Sequence, residues 1–118
     1  MYTPWGKSVA IDLYFCAHDR VNNKEILQQF VVEIIQVIGM VAHGPTYIDR
    51  FGSAEEHLEG YSAMQFIETS SITVHLDEVN NRAFVDIFSC KDFDAEKASE
   101  FTKQYFQAQE MKFFPLER

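Results

Sequence analysis

In residues 71–90, "SITVHLDEVNNRAFVDIFSC", two strand patterns flank a short turn. Apolar residues occupy every second position of the first half, at Ile72, Val74 and Leu76, which is typical of a half-buried strand. The segment "VNN" (79–81) suits a hairpin turn before the second strand pattern, "RAFVDIFSC". An antiparallel hairpin is therefore predicted here.

The two faces of this hairpin are expected to differ in chemistry. His75 should lie on the face opposite Ile72 and Val74, together with Ser71 and Thr73, because side chains alternate across a strand. The return strand should carry a set of residues in phase with Cys90, namely Phe84, Asp86 and Phe88. Apolar groups on both faces indicate that the face without helices needs a partner.

Patterns on both sides of the hairpin extend it into an α+β fold. Strands are predicted at 8–16, 40–51 (broken at Gly44-Pro45), 61–68 and 110–116, and helices at 23–39 and 95–108. Asn22 or Asn23 can cap the first helix, which Gly39 can end, and Asp94 can cap the second. The order β-α-β-β-β-β-α-β predicts a two-layer α/β sandwich, with two helices on one face of a mostly antiparallel sheet. A single domain over 1–118 is expected.

Composition and charge disfavour several classes of partner. The chain has 118 residues, of which 47% are hydrophobic, and a formal net charge of −8. A negative surface repels phosphate, so no nucleic acid partner is expected. The chain shows neither a bilayer-length apolar run nor a signal-peptide pattern, so we expect no membrane partner and a cytoplasmic location. Cys16 and Cys90 are expected as reduced thiols, and the four histidines lack metal-ligand spacing with them.

Three residues with reactive side chains lie in or directly next to the predicted hairpin. His75 follows Ser70 by five residues, and Cys90 follows His75 by fifteen. Each alone has an ordinary structural explanation: serine favours turns, histidine occurs within strands, and cysteine packs as a small hydrophobe. The combined spacing is more specific than any of its members.

Together these spacings resemble the short bacterial and archaeal form of S-adenosylmethionine decarboxylase. In that family the Cys ends a segment similar to "DIFSC" (86–90), with the same Ser-to-His-to-Cys spacing. Another Ser, eight residues before the first, corresponds to Ser62, and an Arg-Phe pair corresponds to Arg50 and Phe51. The opening "GKSVAID" (6–12) also matches, so the similarity covers nearly the whole chain.

The resemblance implies a chain that cuts itself and thereby makes its own cofactor. Cleavage between Thr69 and Ser70 would convert Ser70 into a pyruvoyl group, which holds the substrate amine as a Schiff base during CO2 loss. His75 would be the processing residue, and Ser62 would aid processing or proton transfer. Cys90 would return the proton to the α-carbon. No metal and no external cofactor are implied.

The resemblance also implies the ligands and the assembly. The substrate would be S-adenosylmethionine, decarboxylated for polyamine (spermidine) synthesis. Phe51 would stack on the adenine, and Glu68 would be a further substrate contact. Members of that family form homodimers, so a homodimer is expected here.

Three departures from the family pattern leave two alternatives open. Thr69 stands where the family usually has Glu, Ser71 where bacterial members have His, and "LDEV" (76–79) replaces Trp-Pro-Glu. The acidic loop at 52–60 would suit a cationic substrate, so one alternative is a pyruvoyl-dependent decarboxylase of ornithine or arginine. The other is an uncleaved, non-catalytic paralogue that acts as a binding or regulatory protein.

Overall fold

Six antiparallel strands form the sheet in residues 3–52 and 54–118, the part of the chain that this computed structural model describes. The strands are β1 (Lys7–Tyr14), β2 (Ala42–Phe51), β3 (Gly60–Ile67), β4 (Ser70–Asp77), β5 (Arg82–Ser89) and β6 (Glu110–Glu117). They lie in the order β2-β3-β4-β5-β1-β6, and every neighbouring pair is antiparallel. The predicted central hairpin is confirmed as β4 and β5.

Helices cover one face of the sheet. They are α1 (His18–Val21), α2 (Lys24–Val37) and α3 (Ala95–Tyr105), and a 3-10 turn spans Glu56–Leu58. Asn23 caps α2 by accepting hydrogen bonds from two backbone N–H groups, and Asp94 caps α3 in the same way with one. The short α1 was not predicted, because four residues show no helical period. Among the described residues, no helix combines the length and apolarity needed to cross a membrane.

The hydrophobic core lies between the helices and one sheet face. Phe30 of α2 is fully buried, with its ring centre 4.9 Å from that of Phe106 and 5.3 Å from that of Tyr105. Alternate strand residues complete the core, among them Val9, Ile11, Leu13, Ile72, Val74, Leu76, Val85 and Ile87. Each buried aliphatic side chain of this size stabilises the fold by about 1.5–3 kcal/mol. The predicted α+β sandwich is confirmed.

Strand β2 continues through Gly44-Pro45, where a break was predicted. The pairing register with β3 shifts at this point, since proline has no N–H for the ladder and a bulge accommodates it. The buried side-chain amide of Gln65 donates to the carbonyl oxygens of His43 and Gly44, at 3.4 and 3.1 Å. These bonds satisfy backbone groups within the bulge, so the strand is not interrupted.

The sheet face opposite the helices, here called the open face, is uncovered in a single copy of the chain. Its central row consists of Ser71, Thr73 and His75 on β4, which pair with residues 88, 86 and 84 of β5. Six large apolar side chains on this face are 43–59% exposed: Tyr47, Phe51, Met64, Phe66, Phe114 and Leu116. Such a patch is typical of a surface that binds another protein.

Candidate active site

Ser70 lies at the corner of the β3–β4 hairpin, where the backbone is strained. Ile67 pairs with Ser70, so Glu68 and Thr69 form a two-residue loop. The favoured turns for such loops have positive φ angles within the loop. Here neither loop residue has one, and Ser70 has a φ of 156° instead. Residues with a side chain rarely adopt this angle, which costs about 1–3 kcal/mol. The strain therefore lies directly beside the Thr69–Ser70 peptide bond.

The carbonyl oxygen of Thr69 already accepts a hydrogen bond from the backbone. The N–H of Cys90 donates to it at 2.9 Å. A donor at this oxygen stabilises the negative charge that develops when a nucleophile attacks the carbonyl carbon. The nearest nucleophile along the chain is the hydroxyl of Ser70. The geometry at the end of β5 therefore favours acyl transfer from the Thr69 carbonyl.

Cys90 is the accessible thiol of the two. It follows β5 and is exposed rather than packed in the core, whereas Cys16 is buried, and neither forms a disulfide. Burial raises the pKa of the Cys16 thiol to about 11, which keeps that group protonated at neutral pH. Only Cys90 is therefore positioned to exchange a proton with a bound molecule.

A small cavity of about 270 Å³ adjoins Cys90. Trp5 and Lys7 contribute to its lining, and Lys7 forms an ion pair of 2.9 Å with Asp92. Gly6 allows the chain just before β1 to approach this closely, because a Cβ at that position would lie 2.5 Å from the carbonyl oxygen of Ser89 and 3.1 Å from the Cα of Cys90. The opening segment of the chain thus forms one wall beside the thiol.

Ser62 and His75 form a pair on the open face. They are directly opposite each other in the β3–β4 register, and a hydrogen bond of 2.9 Å joins Ser62 Oγ to His75 Nδ1. Both line a larger cavity of about 780 Å³, which Phe51 also lines from the end of β2. The pair can carry a proton, and the cavity can accept a small molecule.

His75, the predicted processing residue, lies far from the Thr69–Ser70 bond within one protomer. His75 lies five positions after Ser70 on β4, a distance of about 17 Å. The two side chains also belong to opposite faces, because five is an odd number of steps along a strand. The histidine at the junction is His43, which sequence reasoning missed, and its Nδ1 lies 3.1 Å from Glu68 Oε1. The pairing of β2 with β3 brings His43 close to this loop, since Ala42 pairs with Ile67 at the end of β3.

The two predicted substrate contacts lie in different places. Phe51 is 57% exposed and faces the cavity that contains His75. Glu68 lies in the β3–β4 loop, where its carboxylate contacts His43 instead. Within residues 3–52 and 54–118, no three His, Cys, Asp or Glu side chains converge as a metal site would require.

The carboxylate of Glu78 is bound by Arg50. Arg50 Nη1 lies 2.8 Å from Glu78 Oε1, and Arg50 Nη2 lies 3.2 Å from Glu59 Oε1. The guanidinium also stacks 4.8 Å from the ring centre of Tyr61. The hydrogen bond to Glu78, then those to Tyr61 and Glu59, raise the pKa of Arg50. This cluster connects β2 to the turn after β4. Its acceptor Glu78 is the glutamate of "LDEV" (76–79), the segment that replaces the family's Trp-Pro-Glu.

Comparison with known proteins gives a match over nearly the whole chain. A family model described as S-adenosylmethionine decarboxylase matches residues 7–118. The S-adenosylmethionine decarboxylase proenzymes of Clostridium botulinum strains Langeland and Okra are each 27% identical over 100 residues, covering 84% of this chain and 81% of theirs. The crystal structure of the adenosylmethionine decarboxylase from Aquifex aeolicus has the same fold, with a TM-score of 0.83 at 17% identity. That match covers 99% of this chain and 92% of the other.

The matched region contains Ser70, His75 and Cys90, whose spacing first indicated the resemblance. The predicted family is thereby confirmed, and with it the prediction of an enzyme of the carboxy-lyase class. None of these matches favours an ornithine or arginine decarboxylase. The chain belongs to the S-adenosylmethionine decarboxylase family.

Proposed function

We propose that this chain is a pyruvoyl-dependent decarboxylase of S-adenosylmethionine, which forms its pyruvoyl group by self-cleavage between Thr69 and Ser70 and serves polyamine synthesis. The geometry at that bond is the main support. Ser70 has a strained φ of 156°, and the Cys90 N–H donates to the Thr69 carbonyl oxygen at 2.9 Å. Strain in the ground state and a preformed donor for the oxyanion both lower the barrier to attack.

Self-cleavage needs only the chain and one water molecule. Ser70 Oγ attacks the Thr69 carbonyl carbon, the C–N bond breaks, and an ester joins the two segments while the nitrogen of Ser70 becomes an amine. Loss of the Ser70 α-proton then expels Thr69 as a carboxylate and leaves dehydroalanine at position 70. This tautomerises to an imine, which water hydrolyses to the pyruvoyl group with release of ammonia. Each step moves a proton, so an acid–base group must lie close to the bond.

The Ser62–His75 pair of a second copy best suits this proton transfer. His75 of the same copy is too distant, at about 17 Å along β4. The exposed apolar side chains of the open face favour a homodimer in which the two open faces pack together. A two-fold axis between the faces, crossing β4 at Thr73, would set the partner's His75 over Ser71, at the end of β4 where the Thr69–Ser70 peptide bond lies. The Ser70 side chain itself lies on the helix side, so the partner's imidazole would act around the edge of the sheet. Stacked sheets lie about 10 Å apart, which side chains from both faces can bridge.

Substrate would then bind between groups from both copies. The pyruvoyl group supplies an electrophilic ketone that accepts the substrate amine and the electrons released with CO2. Phe51 offers an exposed ring to the adenine, in a cavity of about 780 Å³ that is within the usual range for small-molecule sites. The backbone N–H of Cys90 donates to the Thr69 carbonyl oxygen, so Cys90 lies next to position 70. Its thiol would return a proton to the α-carbon of the substrate.

The intact mass of the purified protein tests this function. We expect fragments 1–69 and 70–118, the second with a blocked amino terminus and a carbonyl that reacts with hydrazine. CO2 release from S-adenosylmethionine should accompany the cleavage. Full-length chain alone after long incubation, without a reactive carbonyl, would contradict the proposal. Ornithine and arginine are assayed in parallel, since turnover of either instead would contradict the substrate.

A further inference from the structure

We infer that Ser89 is a positioning residue for self-cleavage, which acts by a hydrogen bond to the side chain of Thr69. This inference rests on the proposed self-cleavage and gives a role in it to a residue that does not itself react. Ser89 is fully buried at the end of β5, and its Oγ donates to Thr69 Oγ1 at 2.7 Å. Thr69 itself precedes the bond that breaks, so this contact touches the residue whose carbonyl is attacked.

The contact belongs to a directed chain of hydrogen bonds. The N–H of Lys91 donates to Ser89 Oγ at 3.0 Å, and the hydroxyl of Thr69 donates to Met40 Sδ at 3.4 Å. Each hydroxyl has one proton, so the proton of Ser89 goes to its nearer acceptor, Thr69, and not to Met40 at 3.7 Å. The hydroxyls of Ser89 and Thr69 therefore each have one donor partner and one acceptor partner.

Two consecutive residues thus hold Thr69 at two points. Ser89 holds its side chain and the N–H of Cys90 holds its carbonyl oxygen. Threonine is stiff about χ1, so fixing its hydroxyl also restricts the backbone to which the side chain is attached. The carbonyl carbon then stays oriented toward Ser70 although the φ of Ser70 is unfavourable. Loss of one anchor would let the short loop relax out of the geometry for attack.

The test compares cleavage rates after the hydroxyls are removed or kept. Ser89→Ala and Thr69→Val each delete one hydroxyl and should slow cleavage about tenfold, the loss expected for one hydrogen bond. Ser89→Thr and Thr69→Ser keep the hydroxyls and should cleave near the parent rate. The double variant Ser89→Ala/Thr69→Val should be no slower than the slower single variant, because both remove the same bond.

Ser99→Ala is the matched control. Ser99 is also fully buried, and its hydroxyl donates to the Ala95 carbonyl at 2.7 Å within α3. Its loss should lower the melting temperature without slowing cleavage. Parent-like cleavage in Ser89→Ala and Thr69→Val, or losses that multiply in the double variant, would overturn the inference and leave the proposed function intact. A parent chain that never cleaves overturns both. If Ser89→Ala fails to fold, Thr69→Val decides, since Thr69 lies in a partly exposed loop.

Discussion

Ser70 and His75 lie on the same strand, five residues apart, with their side chains on opposite faces of the sheet. His75 is bonded to Ser62 on the open face, whereas Ser70 pairs in register with the buried Ser89. One protomer therefore cannot bring the imidazole to the Thr69–Ser70 bond. If both residues serve cleavage, they come from different copies, so cleavage depends on dimerisation.

Mixed dimers should restore cleavage that neither parent variant shows alone. A His75→Ala chain keeps its own Ser70 and, when co-expressed with a Ser70→Ala chain, can receive an intact imidazole from that partner. We expect fragments from the His75→Ala chain only, because the other chain lacks the nucleophile. Mass spectrometry distinguishes the two chains, since the substitutions change their masses differently.

The control for this experiment is His43→Ala. His43 is exposed and contacts Glu68 beside the junction, so it is the alternative proton carrier within one chain. Under the dimer proposal its removal should leave cleavage unchanged. An uncut mixture, or cleavage lost in His43→Ala and kept in His75→Ala, would mean that the proton carrier belongs to the same chain as Ser70.

Met64→Glu should separate the dimer. Met64 lies on the open face and is 43% exposed, and Val32, with the same exposed fraction, lies on α2 on the other side of the sheet. A carboxylate buried between two apolar faces is costly, so we expect the dissociation constant to rise at least about a hundredfold. Val32→Glu should remain dimeric. Light scattering at micromolar concentration measures both, and a monomeric parent or a dimeric Met64→Glu variant would count against the interface.

Local sequence signals predicted the fold more fully than the site. Helix α2 begins after Asn23 and ends before Gly39, as the capping pattern indicated, because such signals act within a few residues. The face of His75 was also predictable from the strand period. The φ angle of Ser70 was not, since it depends on how the hairpin loop closes. Contacts that depend on the pairing register of distant strands, such as that of His43 with Glu68, or on a second copy leave no periodic pattern in one sequence.

Asp86→Asn should stabilise the protein at neutral pH and have little effect in acid. Burial raises the pKa of the Asp86 carboxyl, Asp12 raises it further and His75 lowers it. The directly paired neighbours, Thr73 and Ala10, carry no charge.

The direction of the pH dependence follows from the raised pKa of Asp86 in the folded state. The stability linked to this group is fully present below the unfolded-state pKa, near about 3.9. It is lost as pH rises through the folded-state pKa. Asparagine resembles the protonated carboxyl, so the melting temperature of the variant should exceed that of the parent at about pH 7 and match it at about pH 3. A difference that stays constant with pH would contradict this cause.

Cys90→Ser should leave self-cleavage intact and slow decarboxylation. Cleavage uses the backbone N–H of Cys90, which serine keeps, at 2.9 Å from the Thr69 carbonyl oxygen. Proton return to the α-carbon uses the thiol, because thiols as a class are far stronger acids than hydroxyls. CO2 release should therefore fall by about 10²–10⁴-fold, the usual contribution of a general acid, while the fragments appear at the parent rate.

The second cysteine supplies the control that separates a catalytic thiol from a structural one. Cys16 is buried with a pKa raised to about 11, so Cys16→Ala should lower the melting temperature and leave turnover per folded molecule unchanged. A small alkylating reagent should label Cys90 in the native protein before Cys16, and inhibition should follow that label. Full turnover by Cys90→Ser, at an unchanged melting temperature, would show that Cys90 is not the proton donor and that its thiol has no role in the reaction.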